Sequence, residues 1–252
     1  MLRQIRHQRL LQLLQEKGAL PVGEIAALLG VSEATARRDL GVLSQNGQLT
    51  RIYGGAVAVA HANDEPLFGS VAEDDADDKD AVARHAAALV ADGDVVLLDI
   101  GTTVVRLARQ LHGRRITVVT SNLAVYEELR DDETVSLVLL GGEVRRNYHS
   151  LVGFLTEANL SQLHVDRLFL GTSGVGPDGS VLDTTLVEVP VKRAMVAAAR
   201  QVVLLATAAK FPGSGIARVS GPDEVDLLVT NKGADPATIA VLSEAGVKVV
   251  LA

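Results

Sequence analysis

From Ala81 onward the chain alternates short, continuous aliphatic runs with helix-periodic stretches, and this alternation restricts the fold more than any other feature. The apolar runs at 94–98, 116–119, 135–140, 167–170, 202–206, 226–229 and 247–251 are too short for buried helices and too uniformly apolar for strands wetted on one face. Strands of that kind lie in a parallel sheet covered on both sides. The intervening segments 80–91, 103–112, 123–131, 152–163, 186–199 and 236–245 carry helical spacing, so an α/β domain with a mostly parallel sheet is expected over 81–252. With 48% hydrophobic but only 3% aromatic residues, its core must be packed by aliphatic side chains.

Such sheets take ligands at the carboxyl ends of their strands, and the sequence is polar at those points. Asp99-Ile100-Gly101-Thr102-Thr103 follows the first strand and opens a helix, so its amides and hydroxyls can cradle a phosphate. Thr120-Ser121-Asn122 follows the second, Gly141-Gly142 with Arg145 the third, and Gly171-Thr172-Ser173-Gly174 the next; Glu188, Lys192 and Lys210 come later. Together they describe a rim of glycines, hydroxyls and cations suited to a phosphorylated polyol or sugar.

The first 60 residues have a different grammar. Helical spacing over 3–17 places Leu10, Leu13 and Leu14 inward. A second short helix follows Pro21, with Val22, Ile25, Ala26, Leu28 and Leu29 at helical spacing, and Gly30 stops it. A third helix opens at once on Ser32, a good cap for the orphan amides of a first turn. In that helix Ala36, Leu40 and Leu43 form a buried stripe, while Arg37 and Arg38 leave the other side small and basic. Such a face fits a major groove, where guanidinium groups meet guanine edges or phosphates. Gly47 is expected to end this helix, and Gln48–Tyr53 and Ala56–Val59 to form two strands around a Gly54-Gly55 turn, a wing carrying Arg51. A small helical oligomerisation domain would need neither the arginine pair nor the wing.

Charge separates the same regions. Residues 1–60 hold seven Lys+Arg against four Asp+Glu, a net +3, and the remainder carries −10 of the total −7. A basic head on an acidic body keeps nonspecific DNA affinity modest. Residues 61–80, with eight acidic residues and one lysine, are expected to be a linker. With no cysteine, disulfides and thiol-ligated metals are excluded. No apolar run reaches the ~18 residues of a membrane span, and the N-terminal segment lacks the apolar core of a signal peptide, so a cytoplasmic protein is expected.

Residues 3–58 resemble the helix-turn-helix domain of the DeoR family of bacterial transcriptional regulators, through Leu29–Ser32, Thr35, Arg37–Leu40, Leu43, Gly47 and Arg51–Ala56. Ala36 stands where a β-branched residue is usual, and Tyr53 where a wing histidine is common. Residues from about 79 to 250 resemble the same family's sensor domain, related in fold to ribose-5-phosphate isomerases. The matching motifs are 99–103, 120–122, 141–146 with 151–153, 166–175, 188–192 and 210–211. Ile100 replaces a usual serine, and Thr207, Ala208 and Ala209 stand where an aspartate and serines usually precede the Lys-Phe pair.

The resemblance implies double-stranded DNA as a partner, with Ser32, Thr35, Arg37, Arg38, Arg51 and Tyr53 at the interface. It also implies a small phosphorylated effector at Asp99, Gly101, Thr102, Thr103, Asn122, Arg145, Glu188 and Lys210. No catalytic residue, cofactor or metal is expected, and a homodimer or homotetramer is. Two other functions compete with this reading. An isomerase-like enzyme would use Glu188 or Asp183 as base with Lys210 stabilising an enediolate. A sugar-kinase-like sensor would need two lobes, and too few residues follow Asp99 for both.

Overall fold

The computed structural model describes residues 3–17, 19–45, 49–52, 54–58 and 75–252. Gly47, Gln48, Tyr53, Val59 and positions 61–74 of the expected linker lie outside the described residues. The chain divides into two compact units, Met1–Ser70 and Val71–Ala252.

The first unit contains α1 (Arg3–Lys17), β1 (Ala19–Pro21), α2 (Val22–Leu29), α3 (Glu33–Gln45), β2 (Leu49–Ile52) and β3 (Gly55–Ala58). Leu10, Leu13 and Leu14 of α1 close on Ile25, Ala26 and Leu29 of α2 and on Ala36, Leu40 and Leu43 of α3, so the three predicted stripes form one core. Each fully buried leucine or isoleucine there contributes about 1.5–3 kcal/mol. Gly30 ends α2 in the left-handed conformation at φ 64°, and the Val31 amide donates back to the Ala26 carbonyl at 3.0 Å. That closure turns the chain into α3 within three residues.

The wing has a third strand that the sequence does not announce: β1 pairs with β3, giving the order β1-β3-β2, all antiparallel. Gly55, expected in the turn, lies in β3 and pairs with Ile52. A Cβ on Gly55 would meet the Leu20 carbonyl oxygen at 2.3 Å, so the approach of β1 requires glycine at this position.

The second unit opens with α4 (Ala76–Ala87), followed by β4 (Val95–Leu98), α5 (Thr102–Arg109), β5 (Thr117–Thr120), α6 (Leu123–Leu129) and β6 (Ser136–Leu139). Next come β7 (Glu143–Arg145), β8 (Ser150–Val152), α7 (Phe154–Leu160), β9 (Arg167–Gly171), β10 (Gly174–Val175), β11 (Val181–Asp183) and α8 (Val189–Ala198). The chain ends with β12 (Val202–Leu205), β13 (Ala217–Ser220), β14 (Leu227–Thr230), α9 (Pro236–Glu244) and β15 (Lys248–Leu251). Residues 76–80, expected to belong to the linker, form the first turns of α4. Their acidity hides the stripe of Lys79, Val82, Ala83, Ala86 and Ala87 that this helix buries, and Asp80 pairs with Arg106 at 2.7 Å.

Seven strands form one sheet in the order β15-β14-β12-β9-β4-β5-β6. Every pairing in it is parallel, so the expected mostly parallel sheet is wholly so. On one face Leu97, Leu168, Leu170, Val202, Leu204 and Leu228 pack with Val189, Val191 and Met195 of α8. Strands β5 and β6 run outward from one side of β4, and β9 starts the return on the other. The order therefore reverses between β4 and β9, and the crevice beyond their carboxyl ends is where an open parallel sheet binds ligands. Two small antiparallel pieces, the β7–β8 hairpin and the sheet β10-β11-β13, complete the unit.

Candidate functional site

In the first unit α3 presents its polar face as expected. The Ser32 hydroxyl accepts from the Thr35 amide at 3.3 Å and meets the Thr35 hydroxyl at 2.9 Å, so both residues shape the start of α3. Arg37 is exposed and bridges to Glu33 one turn back at 2.9 Å. Arg38 is exposed and has no ion pair among the described residues; Arg51 on β2 is also exposed.

Between these arginines and the core sits Asp39, which sequence reasoning passed over. It accepts from Arg6 Nε at 2.5 Å and lies 2.9 Å from His7 Nε2, which ties α3 to α1. Burial pushes the Asp39 carboxyl up, but Arg6 and His7 outweigh it and hold its pKa below the ordinary value. A depressed folded pKa gives stability that is present above the unfolded value of about 3.9 and is lost as pH falls through the folded one. Asp39→Ala is expected to cost on the order of 2 kcal/mol, because the charge-assisted tie between α3 and α1 is lost. Faster hydrogen exchange of α1 and α3 amides at neutral pH, in the full-length protein, would register it; unchanged exchange would make the network ornamental.

In the second unit the polar residues converge at the switch point. Asp99, at the end of β4, is fully buried, and its Oδ2 accepts from Lys192 Nζ at 2.5 Å and from the Gly171 amide at 2.9 Å. Lys192, on α8, also donates to the Gly171 carbonyl at 3.1 Å and lies 3.6 Å from Asp183 Oδ2. Burial alone would lower the Lys192 pKa, but Asp99 and Asp183 outweigh it and raise it. Burial likewise pushes the Asp99 carboxyl up, with Lys192 opposing. An ammonium faced by two carboxylates keeps its proton, so Asp99 stands opposite it as the carboxylate. A Cβ on Gly171 would meet the Ile100 carbonyl oxygen at 2.7 Å, which explains glycine at that crossing.

One helical turn before Lys192, Glu188 forms a second anchor. Its Oε1 pairs with Arg145 of β7 and accepts from the Ser150 hydroxyl at 2.8 Å, and the Arg145 guanidinium lies 5.8 Å over the Tyr148 ring. Gly101 caps α5 at φ 118°, a conformation that favours glycine, and as a glycine it offers no side chain to the first amides of α5. Thr102 is buried in that first turn and Thr103 partly so.

Two of the expected residues stand differently. Asn122 is buried, and its Oδ1 caps α6 by accepting from the Ala124 amide at 2.9 Å and the Val125 amide at 3.3 Å. Its Nδ2 donates to the Asp99 carbonyl at 3.3 Å, so both ends of the amide serve the scaffold. Lys210 lies in the 3₁₀ turn Ala208–Lys210, half-buried, and its ammonium has no hydrogen bond or ion pair among the described residues. The structure thus brings together Asp99, Arg145 and Glu188 with Ser150, Asp183 and Lys192, and leaves Lys210 outside their bonded network.

The profile of the DeoR-like helix-turn-helix domain matches residues 6–62, and that of the DeoR C-terminal sensor domain matches residues 74–232. The chain belongs to the DeoR family. Among its relatives, the glycerol-3-phosphate regulon repressor of Haemophilus influenzae is 34% identical, with 90% of this chain and 88% of the relative covered. The transcriptional regulator GolR of Listeria innocua is 29% identical, with 98% of each chain covered. Ribose 5-phosphate isomerase A of Methanocaldococcus jannaschii aligns over 52% of each chain at 19% identity with a TM-score of 0.39. The architecture stands on the strand order described above rather than on that likeness.

As a DeoR-family member the protein is a DNA-binding transcriptional regulator with a C-terminal sensor domain, not an enzyme. No helix among the described residues is long and apolar enough to cross a membrane. Within the sensor domain, Ser150 is the residue the sequence least betrays, because its importance comes only from the hairpin that carries it to Glu188. Lys192 had one usable signal: it sits one turn after Glu188 on a helix whose other inward residues are aliphatic.

Proposed function

We propose that this regulator represses a carbohydrate-metabolism operon in the cytoplasm and is released by a small phosphorylated sugar or related metabolite. The observation that carries the effector reading is the buried, charged cluster of Asp99, Lys192, Asp183, Glu188 and Arg145 at the sheet's switch point, beside the uncapped start of α5. Amides at a helix N-terminus with a glycine before them favour an anion, so the phosphate is assigned to Gly101, Thr102 and Thr103. Arg145 and Lys210 supply positive charge, and Asp99 and Glu188 accept hydroxyls. Asn122 contributes by holding the loop after β4. The relatives named as repressors of glycerol-3-phosphate regulons make phosphorylated metabolites the natural class.

On the DNA side, residues 1–60 form the reading head, residues 61–75 its tether, and the domain behind them senses and assembles. Arg37 and Arg38 meet bases or phosphates, Ser32 and Thr35 approach the backbone at the start of α3, and Arg51 and Tyr53 act from the wing. A homodimer or homotetramer pairs two heads on repeated half-sites; exposed Phe154 and Leu155 on α7 offer apolar surface for assembly. To weaken operator binding tenfold, the effector must favour the non-binding arrangement by about 1.4 kcal/mol. Turnover is not served by this site: Glu188 is held by Arg145 and Ser150, and Asp183 lies beside Lys192, so neither carboxylate is poised as a base.

The test is thermal unfolding against sugar phosphates, polyol phosphates and free sugars. A ligand at a hundredfold over its dissociation constant stabilises the native state by about 2.7 kcal/mol. Replacing Thr102 and Thr103 by valine is expected to remove that shift and the effector response while sparing operator binding. A double variant that responds normally places the phosphate elsewhere.

A further inference from the structure

We propose that Asp99 and Ser121 together read two neighbouring hydroxyl groups of the effector, so that the site selects a polyhydroxylated carbon chain and not merely an anion. The inference rests on the cluster being the effector site. Asp99 Oδ2 is saturated by Lys192 and the Gly171 amide, but Oδ1 of the same carboxylate is buried with no hydrogen-bond partner. The Ser121 hydroxyl is buried and unpartnered in the same way, and both residues are 0% exposed. Buried polar atoms are nearly always hydrogen-bonded, and a charged acceptor left bare is the most costly kind.

The two atoms belong to one place. Leu98 and Thr120 are paired across β4 and β5, so Asp99 and Ser121 leave adjacent strands side by side, about 4.8 Å apart. Leu97 and Val119, two residues earlier, both pack into the core shared with α8. Asp99 turns toward that same face, where its carboxylate meets Lys192 of α8. The Leu151 amide donates to the Ser121 carbonyl at 2.8 Å, which brings β8 and its Ser150 beside this position. Asp99 is thus bonded into the anchor of Lys192, and the Ser121 backbone is bonded to β8, whose Ser150 belongs to the anchor of Glu188.

The chemistry of the missing partner follows. A bare carboxylate oxygen needs a donor and repels a phosphate, so the group that meets Asp99 Oδ1 is a hydroxyl, and the anionic end lies away from it. Ser121 can donate or accept and so completes the reading of the next hydroxyl along the chain.

Isothermal titration of the full-length protein tests this with inorganic phosphate, ethyl phosphate, three- to six-carbon polyol phosphates, and free glycerol, ribitol and glucitol. The expected result is a polyol phosphate bound at least about tenfold more tightly than ethyl phosphate, and a Ser121→Ala variant in which that preference falls about tenfold. Affinities for inorganic and ethyl phosphate should not change, nor should the variant's thermal midpoint fall, because the deleted hydroxyl serves no protein group. Polyol phosphates that bind no better than ethyl phosphate overturn the inference and leave the phosphate reading standing. Equal weakening of every ligand by Ser121→Ala also overturns it, since the residue would then be structural. Should no phosphate compound bind, the phosphate reading fails by itself: free polyols bound in a Ser121-dependent way would still support the hydroxyl reader, and their failure to bind would end it.

Discussion

Replacing Lys192 by methionine is expected to lower the thermal midpoint of the protein by on the order of 10 °C. The ammonium is 2% exposed and stands between Asp99, at 2.5 Å, and Asp183, at 3.6 Å, both themselves buried. Methionine fills similar volume, so the loss is electrostatic: two carboxylates remain in a dry crevice without their cation. Removing one partner of a buried ion pair costs about 3–5 kcal/mol, a large part of the roughly 5–15 kcal/mol by which whole domains are stable. For a domain of this size each kcal/mol moves the midpoint by about 2–4 °C. Two controls separate charge from packing. The destabilisation should narrow as pH is lowered, because protonating either carboxylate relieves the repulsion. Adding Asp99→Asn and Asp183→Asn to Lys192→Met should restore much of the midpoint, since neutral groups carry less desolvation. A single variant that melts like the parent at neutral pH would show that the crevice is wet and the pair incidental.

That triad also shows where a sequence stops being readable. The parallel strands are legible because each is built around an aliphatic run; the inner ones are buried on both faces, whereas the edge strands β6 and β15 keep the same aliphatic pattern although half or more of their residues are exposed. Helix α3 was legible because Gly30 and Ser32 mark its start chemically. By contrast β1, the β7–β8 hairpin and the β10-β11-β13 sheet are two to four residues long and gain their pairing from tertiary neighbours. Gly55 looked like a turn residue until β1 was seen to press its Leu20 carbonyl against it. Helix α4 begins at Ala76 rather than at the expected residue 80, a start hidden because acidic residues outnumber apolar ones before that point, although Lys79 begins its buried stripe.

The candidate site divides along the same line. Asp99, Gly101 and Thr102 could be picked out because they follow a strand and open a helix. Asn122 was picked out for the same reason, yet the amide is consumed by capping α6, a use that only geometry reveals. The Lys192–Asp99 pair spans 93 residues of sequence, and no local pattern links its members. Asp39 directly follows the arginine pair 37–38 and looks like part of the same polar face, but its side chain turns inward to Arg6 and His7.

Arg38→Ala is expected to remove specific operator binding while leaving the fold intact. Arg38 and Arg37 are neighbours on α3, but their starting states differ. Arg37 is bridged to Glu33, with the two side chains 64% and 55% exposed, and a surface pair of that kind is worth roughly 0–1 kcal/mol. It can be surrendered to a phosphate at little cost. Arg38 has no ion pair among the described residues and nothing to surrender, so its guanidinium is available for two-pronged contact with a guanine edge. Losing such a contact costs about 1–3 kcal/mol per head, and an oligomer placing two heads on paired half-sites loses about twice that. Arg37→Ala should instead weaken all sequences alike and reduce the salt dependence by about one released ion per head. Neither change should move the thermal midpoint, since both side chains are solvated. The measurement is fluorescence anisotropy on the tightest fragment that the wild-type protein selects from random DNA, repeated over a series of salt concentrations. Retention of sequence preference by Arg38→Ala would move the reading of bases from α3 to the wing, where Arg51 is exposed on β2.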